Sequence, residues 1–415
     1  MKRLLVLAGV MFSAMLSATG ALAQQKVIKI GLSGDFSSAY SAATPVYSQG
    51  QRDYLAMINA RGDLKGYTLE PIVVDHGNQP QRGLEAYERF KSEAAVAVDF
   101  ISTPVARAVA PRATEDHIPV ITMFHGRSDA ADGATFPYLF PMSPNYWGQA
   151  TVLIQYILDQ EKGNLKGKKI AFVGYDSPFG KEPQPILEDL AKTLGFEYQP
   201  FYYPLPGNEQ SGQWTQVRRF RPDWVLIWGA GSAQPVSINE AIRNGIKLDH
   251  VVSNVWLAET ETSVVGEKES TGVMRVEGVA TGRDVPAVKA MIKEVVDKGK
   301  SAGPADKAGQ TNYCIGAATM AVLVEGIRLA IANEGAPVTP EKVKRGLERI
   351  KNFNAEGLIP PITVTSADHS GGSKARVAQY DGAKWVPKSE WKAPFNDLVW
   401  REVRASAEQF KKSSK

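Results

Sequence analysis

Ser102 and Thr103 stand directly before Pro104, after an apolar run that ends at Ile101. Proline suits the first turn of a helix, so a hydroxyl pair just ahead of it can cap that helix. Backbone N–H groups at such a helix start favour an anion such as a carboxylate. The other residue types that do chemistry are poorly grouped. The five histidines, His76, His117, His125, His250 and His369, are not at metal-ligand spacing, and the single cysteine, Cys314, supplies no zinc set. There is no G-x-S-x-G elbow, no H-E-x-x-H and no complete phosphate loop. Residues 163–169 (GNLKGKK) imitate such a loop, but the spacing is one residue short and no Ser or Thr follows the lysine. Gly229-Ala230-Gly231 lacks the third glycine of a dinucleotide fingerprint. Pairs such as Glu259 and Glu261 are more often solvated than catalytic. The pattern favours binding over catalysis and calls for neither a metal nor a cofactor.

The elements that must position Ser102 and Thr103 follow one plan. Residues 27–32 (VIKIGL) read as a short buried strand, ended by Ser33-Gly34-Asp35 and a small-residue loop through Ser41. A helix follows, with Val46, Tyr54, Leu55, Met57 and Ile58 near helical spacing and Arg61-Gly62 at its end. In open α/β sheets, ligands bind in loops beyond the carboxyl ends of the strands. Residues 67–75 and 96–101 read as strands, 80–92 as a helix, and 118–123 as a fourth strand. Such alternation predicts a parallel, doubly wound sheet. Three prolines within residues 136–144 (FPYLFPMSP) mark a crossing segment. A second series then begins, with strands at 168–174, 196–203, 223–228 and 250–254. Helices fall at 146–160, up to 194, and at 235–243. Residues 274–281 are extended, and 285–299, 313–333 and 340–350 are helical. Three further strand-like runs (ITVT, ARVAQY, KWVP) lie within residues 361–391, and the polar tail after Arg401 is expected to fray.

The chain is long enough for two lobes or more: 415 residues, 43% hydrophobic and 22% charged. Its net charge of +4 is spread among interleaved acids and bases, which excludes a nucleic-acid stripe. Met1-Lys2-Arg3, an apolar stretch over residues 4–16 and Ala21-Leu22-Ala23 form a cleavable secretory signal. No cysteine stands directly after it, so no lipid anchor at a new N-terminus is expected, and a periplasmic, soluble monomer is. Residues 313–332 are strongly apolar but contain Glu325 and Arg328, and read as a buried helix rather than a membrane span.

Several blocks carry a family resemblance. They are residues 30–34 with Tyr40, then Ile58-Asn59-Ala60-Arg61-Gly62 with Leu64-Lys65-Gly66, Leu69 and Asp75. Residues 118–122 and 169–173 with Phe179-Gly180 continue the match in order. The chain resembles the periplasmic solute-binding proteins of ABC importers, in the branched-chain amino acid (Leu/Ile/Val-binding) family. The resemblance implies an α/β fold of two Rossmann-like lobes with parallel sheets, joined by three crossings, with ligand held in the cleft between them. Lobe one would be residues 26–143 plus 274–355 and lobe two 144–273 plus 356–405, with 1–23 a leader and 406–415 a flexible tail. The implied partners are a small-molecule ligand and the permease subunits at the inner membrane.

Site positions transfer residue by residue. Tyr40 takes the place of the aromatic after the first strand, and Ser102 and Thr103 the carboxylate grip. Phe124, His125 and Gly126 fall on the second carboxylate-binding segment, Phe179 on the aromatic lid, and Trp228 at a strand end facing the cleft. Each has a plainer reading. Tyr40 and Phe179 could cap a core, Trp228 and Trp256 could be core, and His125 suits an orienting group better than a ligand contact. One departure matters. Amino acid binders of the family place a Glu after the strand at 250–254, whereas here Val255 and Trp256 stand there. An unpartnered ammonium costs several kcal/mol, roughly, to bury. The expected ligand is therefore a small hydrophobic or aromatic carboxylate, or else a branched-chain amino acid. A sensory receptor for a chemoreceptor or kinase is the alternative function, and an exported enzyme a more distant one.

Overall fold

The computed structural model describes residues 26–142 and 144–413, so the expected leader lies outside the described residues. The first strand, β1 (Lys26–Gly34), is buried from Ile30 onward and lies inside its sheet. It pairs in parallel with β2 (Tyr67–Asp75) on one side and β3 (Val98–Phe100) on the other. β4 (Val120–Ile121) and β5 (Leu139–Phe140) complete an all-parallel sheet of order β2-β1-β3-β4-β5. The helices Thr44–Arg61, Pro80–Ser92 and Thr103–Glu115 join its first strands. Gly62 ends the first of these in a left-handed conformation, φ 68°, with its N–H on the Ile58 and Asn59 carbonyls.

The second sheet is built from β6 (Lys169–Tyr175), β7 (Glu197–Tyr203), β8 (Trp224–Trp228), β9 (Val251–Ser253) and β10 (Met274–Glu277), all parallel. β11 (Arg376–Tyr380) and β12 (Trp385–Pro387) extend it antiparallel, joined at Asp381-Gly382. Its order is β12-β11-β10-β9-β8-β6-β7. β8, which reads WVLIW, is buried at every residue, as expected of a strand covered on both faces. The two sheets define two lobes. The chain passes between them after β5, after β10 and again near residues 371–375.

Three expectations need correction. Residues 274–277 belong to the second sheet, because β10 is hydrogen-bonded by β9 on one edge and β11 on the other. The return to lobe one begins after Glu277, and the helices Pro286–Met291 and Thr311–Glu334 then pack on Thr44–Arg61. The ITVT run forms no strand: Ile362 makes one bridge with Phe353, and Pro360-Pro361 ahead of it offer no backbone donors. The polar tail is a helix, Asn396–Ser413, which buries Val399, Val403 and Ala407. The long helix Thr311–Glu334 is apolar enough to cross a membrane by composition, yet it is mostly buried inside the protein.

Candidate functional site

Lobe one supplies a wall rich in hydroxyls. β1 is followed by Asp35, whose carboxylate accepts the N–H groups of Ser38 at 2.7 Å and Tyr40 at 2.9 Å. This turn presents Tyr40 beyond the strand end. Burial, and then the Asp35 charge, raise the Tyr40 phenol well above its ordinary value, so it remains a donor. Ser102 follows β3 in an extended conformation and caps the helix Thr103–Glu115, accepting the Val105 N–H at 3.4 Å. Its hydroxyl donates to Asn78 Oδ1 at 2.6 Å. Thr103 Oγ1 accepts the Gly126 N–H at 3.3 Å. Thr44, at the start of the first helix, is buried, and no hydrogen-bond partner meets its hydroxyl. His125 places Nδ1 2.8 Å from the Met123 carbonyl and Nε2 2.8 Å from the Phe100 carbonyl. Both nitrogens thus face acceptors and neither offers a lone pair to the cavity. Beneath it, burial pushes the Asp99 carboxyl up against the pull of His125.

Lobe two supplies aromatic rings. Tyr146 opens the helix Tyr146–Gln160, whose cap, Asn145, accepts the Gly148 N–H at 2.9 Å. Phe179 sits on the short helix Pro178–Lys181, capped by Ser177. Trp256 follows β9 and donates its Nε1–H to the Tyr146 hydroxyl at 3.1 Å. Burial raises the Tyr146 phenol far above its ordinary value, which leaves its own proton available for donation. Tyr40 meets Phe179 edge-on across the lobes, with ring centroids 6.5 Å apart, and Tyr146 lies 5.2 Å from Phe179.

These walls line one cavity, partly open to solvent, completed by Ala43, Ile101 and Ala230. Six of the nine expected site residues line it together: Tyr40, Ser102, Thr103, His125, Phe179 and Trp256. Three do not. Phe124 takes φ 66° and turns its ring against Gly278, at one of the lobe crossings. Gly126 stands behind Thr103, close against the Thr122 side chain. Trp228 is fully buried behind the wall, between Tyr146 at 5.6 Å and Phe172 at 5.9 Å. Sequence reasoning missed Tyr146 and Thr44. Both open helices, and a cap residue followed by an aromatic was the available signal for Tyr146.

The wall is built of hydroxyls, aromatic rings and one imidazole. Among the described residues lining it, none is Asp, Glu, Lys or Arg. The two acids nearest in sequence to Trp256 are engaged elsewhere. Glu259 accepts the Thr311 N–H and hydroxyl, both at 2.9 Å, and Glu261 accepts the Ala258 N–H at 3.1 Å. Ser102 and Thr103 have no base beside them, since the His125 nitrogens are held by carbonyls.

Residues 27–384 match the model of a family described as periplasmic binding protein. A solved structure named as an ABC transporter permease from the Pseudomonas fluorescens group shares 33% identity, with a TM-score of 0.85 over 94% of this chain and 98% of that one. A branched-chain amino acid ABC transporter protein from Thermus thermophilus, solved with bound valine, is 20% identical, with a TM-score of 0.80 over 91% and 99%. A fatty acid ABC transporter substrate-binding protein from Thermomonospora curvata is 19% identical, with a TM-score of 0.73 over 89% and 93%. No curated protein matched the sequence.

Proposed function

The chain belongs to the periplasmic binding protein family, with the fold of ABC transporter substrate-binding proteins, and from that premise we propose that it captures a small hydrophobic or aromatic carboxylate between its lobes for delivery to a membrane permease. One observation carries the choice of ligand. Trp256 stands in the cavity wall with its N–H on Tyr146, while Glu259 and Glu261 are turned to other partners. An ammonium would enter this pocket without a counter-charge and lose several kcal/mol, roughly, of hydration. A carboxylate would meet the hydroxyls of Thr44, Thr103 and Tyr146 and the start of the helix Thr103–Glu115 that Ser102 caps. An apolar or aromatic body would lie against Phe179, Tyr40 and Trp256, each Å² buried contributing about 25 cal/mol. Residues from both lobes line the one cavity, so a ligand there favours the closed arrangement by touching both.

Calorimetry of leucine beside its deaminated analogue, 4-methylpentanoate, and benzoate tests the ligand class. The acids are expected to bind at least as tightly as leucine. If leucine binds far more tightly, and Glu259→Gln or Glu261→Gln abolishes that advantage, the protein is a branched-chain amino acid receptor instead.

A further inference from the structure

Glu182 is a lobe-two carboxylate buried among lobe-one groups. It follows the short helix that carries Phe179, and its own N–H bonds back to the Phe179 carbonyl at 3.3 Å. Its carbonyl accepts the Trp147 indole N–H at 2.8 Å, which ties its backbone to the helix Tyr146–Gln160 of the same lobe. Its side chain, 3% exposed, reaches the other way. Oε1 accepts the Ser128 backbone N–H at 2.7 Å, and Oε2 pairs with the Arg107 guanidinium. Ser128 lies in the turn after β4, and Arg107 is on the helix that begins at Thr103. One carboxylate therefore joins the lid that bears Phe179 to the helix whose first turn holds Ser102 and Thr103. None of Glu182, Arg107 and Ser128 lines the cavity.

We propose that Glu182 is the closure latch of this cleft, a positioning residue that holds the Phe179 wall in place through Arg107 and the Ser128 N–H. The physical case is a cycle. When the lobes part, Glu182 and Arg107 return to water and regain hydration, so the pair adds little to the fold of either lobe. When they meet, the ion pair forms beside a backbone donor, in a place where only Arg107 remains part-exposed, 37% of its side chain. The gain is confined to the closed arrangement, so it slows release of whatever the cleft holds without selecting what that is. The proposal uses the binding reading only for the cleft itself, not for the ligand class.

The test is arranged so that the two can fail separately. Lys65→Cys and Lys192→Cys place spin labels on exposed positions of the two lobes, while Cys314 is buried and stays unlabelled. In the ligand-free protein, Glu182→Ala and Arg107→Met should each shift the label distances toward a longer, open population. For benzoate or 4-methylpentanoate, both variants should raise the dissociation rate about ten- to a hundredfold, with the association rate and the preference between the two acids unchanged. The double variant should be no worse than Glu182→Ala alone, because that change already removes both the Arg107 and the Ser128 contacts. Unchanged label distances overturn the latch, even if neither acid binds the parent protein. A steep fall in melting temperature with an unchanged dissociation rate would show a plain structural pair and overturn it as well. If neither acid binds but the distances shift, the latch stands and the ligand class falls.

Discussion

Glu261 is 1% exposed, with one oxygen on the Ala258 N–H and no hydrogen-bond partner for the other. Burial pushes its carboxyl up to about 8. A carboxyl raised above its unfolded value binds its proton more tightly in the folded state. Its contribution to stability is therefore complete below about pH 4.5 and is lost as pH rises through about 8. Glu261→Gln keeps the acceptor and removes the charge. It should leave the melting temperature nearly unchanged at pH 5 and raise stability at pH 9 by about 2–5 kcal/mol. A variant whose melting profile parallels the parent's from pH 5 to 9 would contradict this. The hydroxyl pair separates into two roles. Ser102→Ala removes a helix cap and should lower stability by about 1 kcal/mol. Thr103→Val should instead weaken carboxylate binding by about 1.5–3 kcal/mol, beside a stability loss of about 1 kcal/mol from the Gly126 N–H it leaves unpaired; equal affinity in calorimetry would place Thr103 in the wall only. The helix-start signal made this pair legible in the sequence. Phe124 was not legible, because its positive φ turns the ring away from the side that alternation along the strand would give it.

At the scale of elements, the two long helices of lobe one approach through glycines. A Cβ on Gly316 would overlap the Tyr47 carbonyl, and one on Gly50 would overlap the Tyr313 carbonyl. Each helix thus packs a backbone face against the other, which no larger residue allows. Gly316→Ala should cost about 1–3 kcal/mol, seen as a lower thermal midpoint, since the obstacle is backbone that has no rotamer to yield. A midpoint equal to the parent's would mean that the helices can slide apart freely. In sequence these glycines read only as weak helix positions, and their purpose needs the partner helix in view. Other elements were plainer. Pro80 opens Pro80–Ser92, and Asn145 caps Tyr146–Gln160, so both helices begin where local chemistry puts them. β4 spans only Val120–Ile121 although the apolar run from 118 to 123 is longer, because β3 pairs with it at those two residues alone. Lobe membership was least legible of all, since β10 is assigned by its neighbours β9 and β11, one of them about a hundred residues away along the chain.

At the scale of the whole molecule, the C-terminal helix Asn396–Ser413 touches both lobes. Near its start, Arg401 pairs with Asp189 of lobe two, and Val399 and Val403 are buried. Farther on, the Ser406 hydroxyl donates to Asp129 Oδ2 at 2.8 Å, and Phe410 meets Phe136 of lobe one with ring centroids 4.8 Å apart. The Arg127 guanidinium lies 4.5 Å from both of those rings. The helix lies beyond the family match, which stops at residue 384. Its charged surface made the tail look frayed, although Val399, Val403 and Ala407, spaced by four, mark an apolar stripe. Asp129 and Ser128 share one turn, so the far end of this helix grips lobe one beside the groups that hold Glu182. A strap fixed to lobe two and seated on lobe one resists opening only while that seat holds. Phe410→Ala removes the ring pair and half of the guanidinium's enclosure, about 1–2 kcal/mol of closing free energy. Small-angle scattering of the ligand-free variant should then show a larger radius of gyration than the parent, and affinity for benzoate or 4-methylpentanoate should fall by up to about thirtyfold. Arg401→Ala loosens the opposite anchor and should act in the same direction, because a strap fails from either end. If the radius stays the same while the melting temperature falls, the helix is ordinary packing on a closed molecule, and closure rests on the lobes alone.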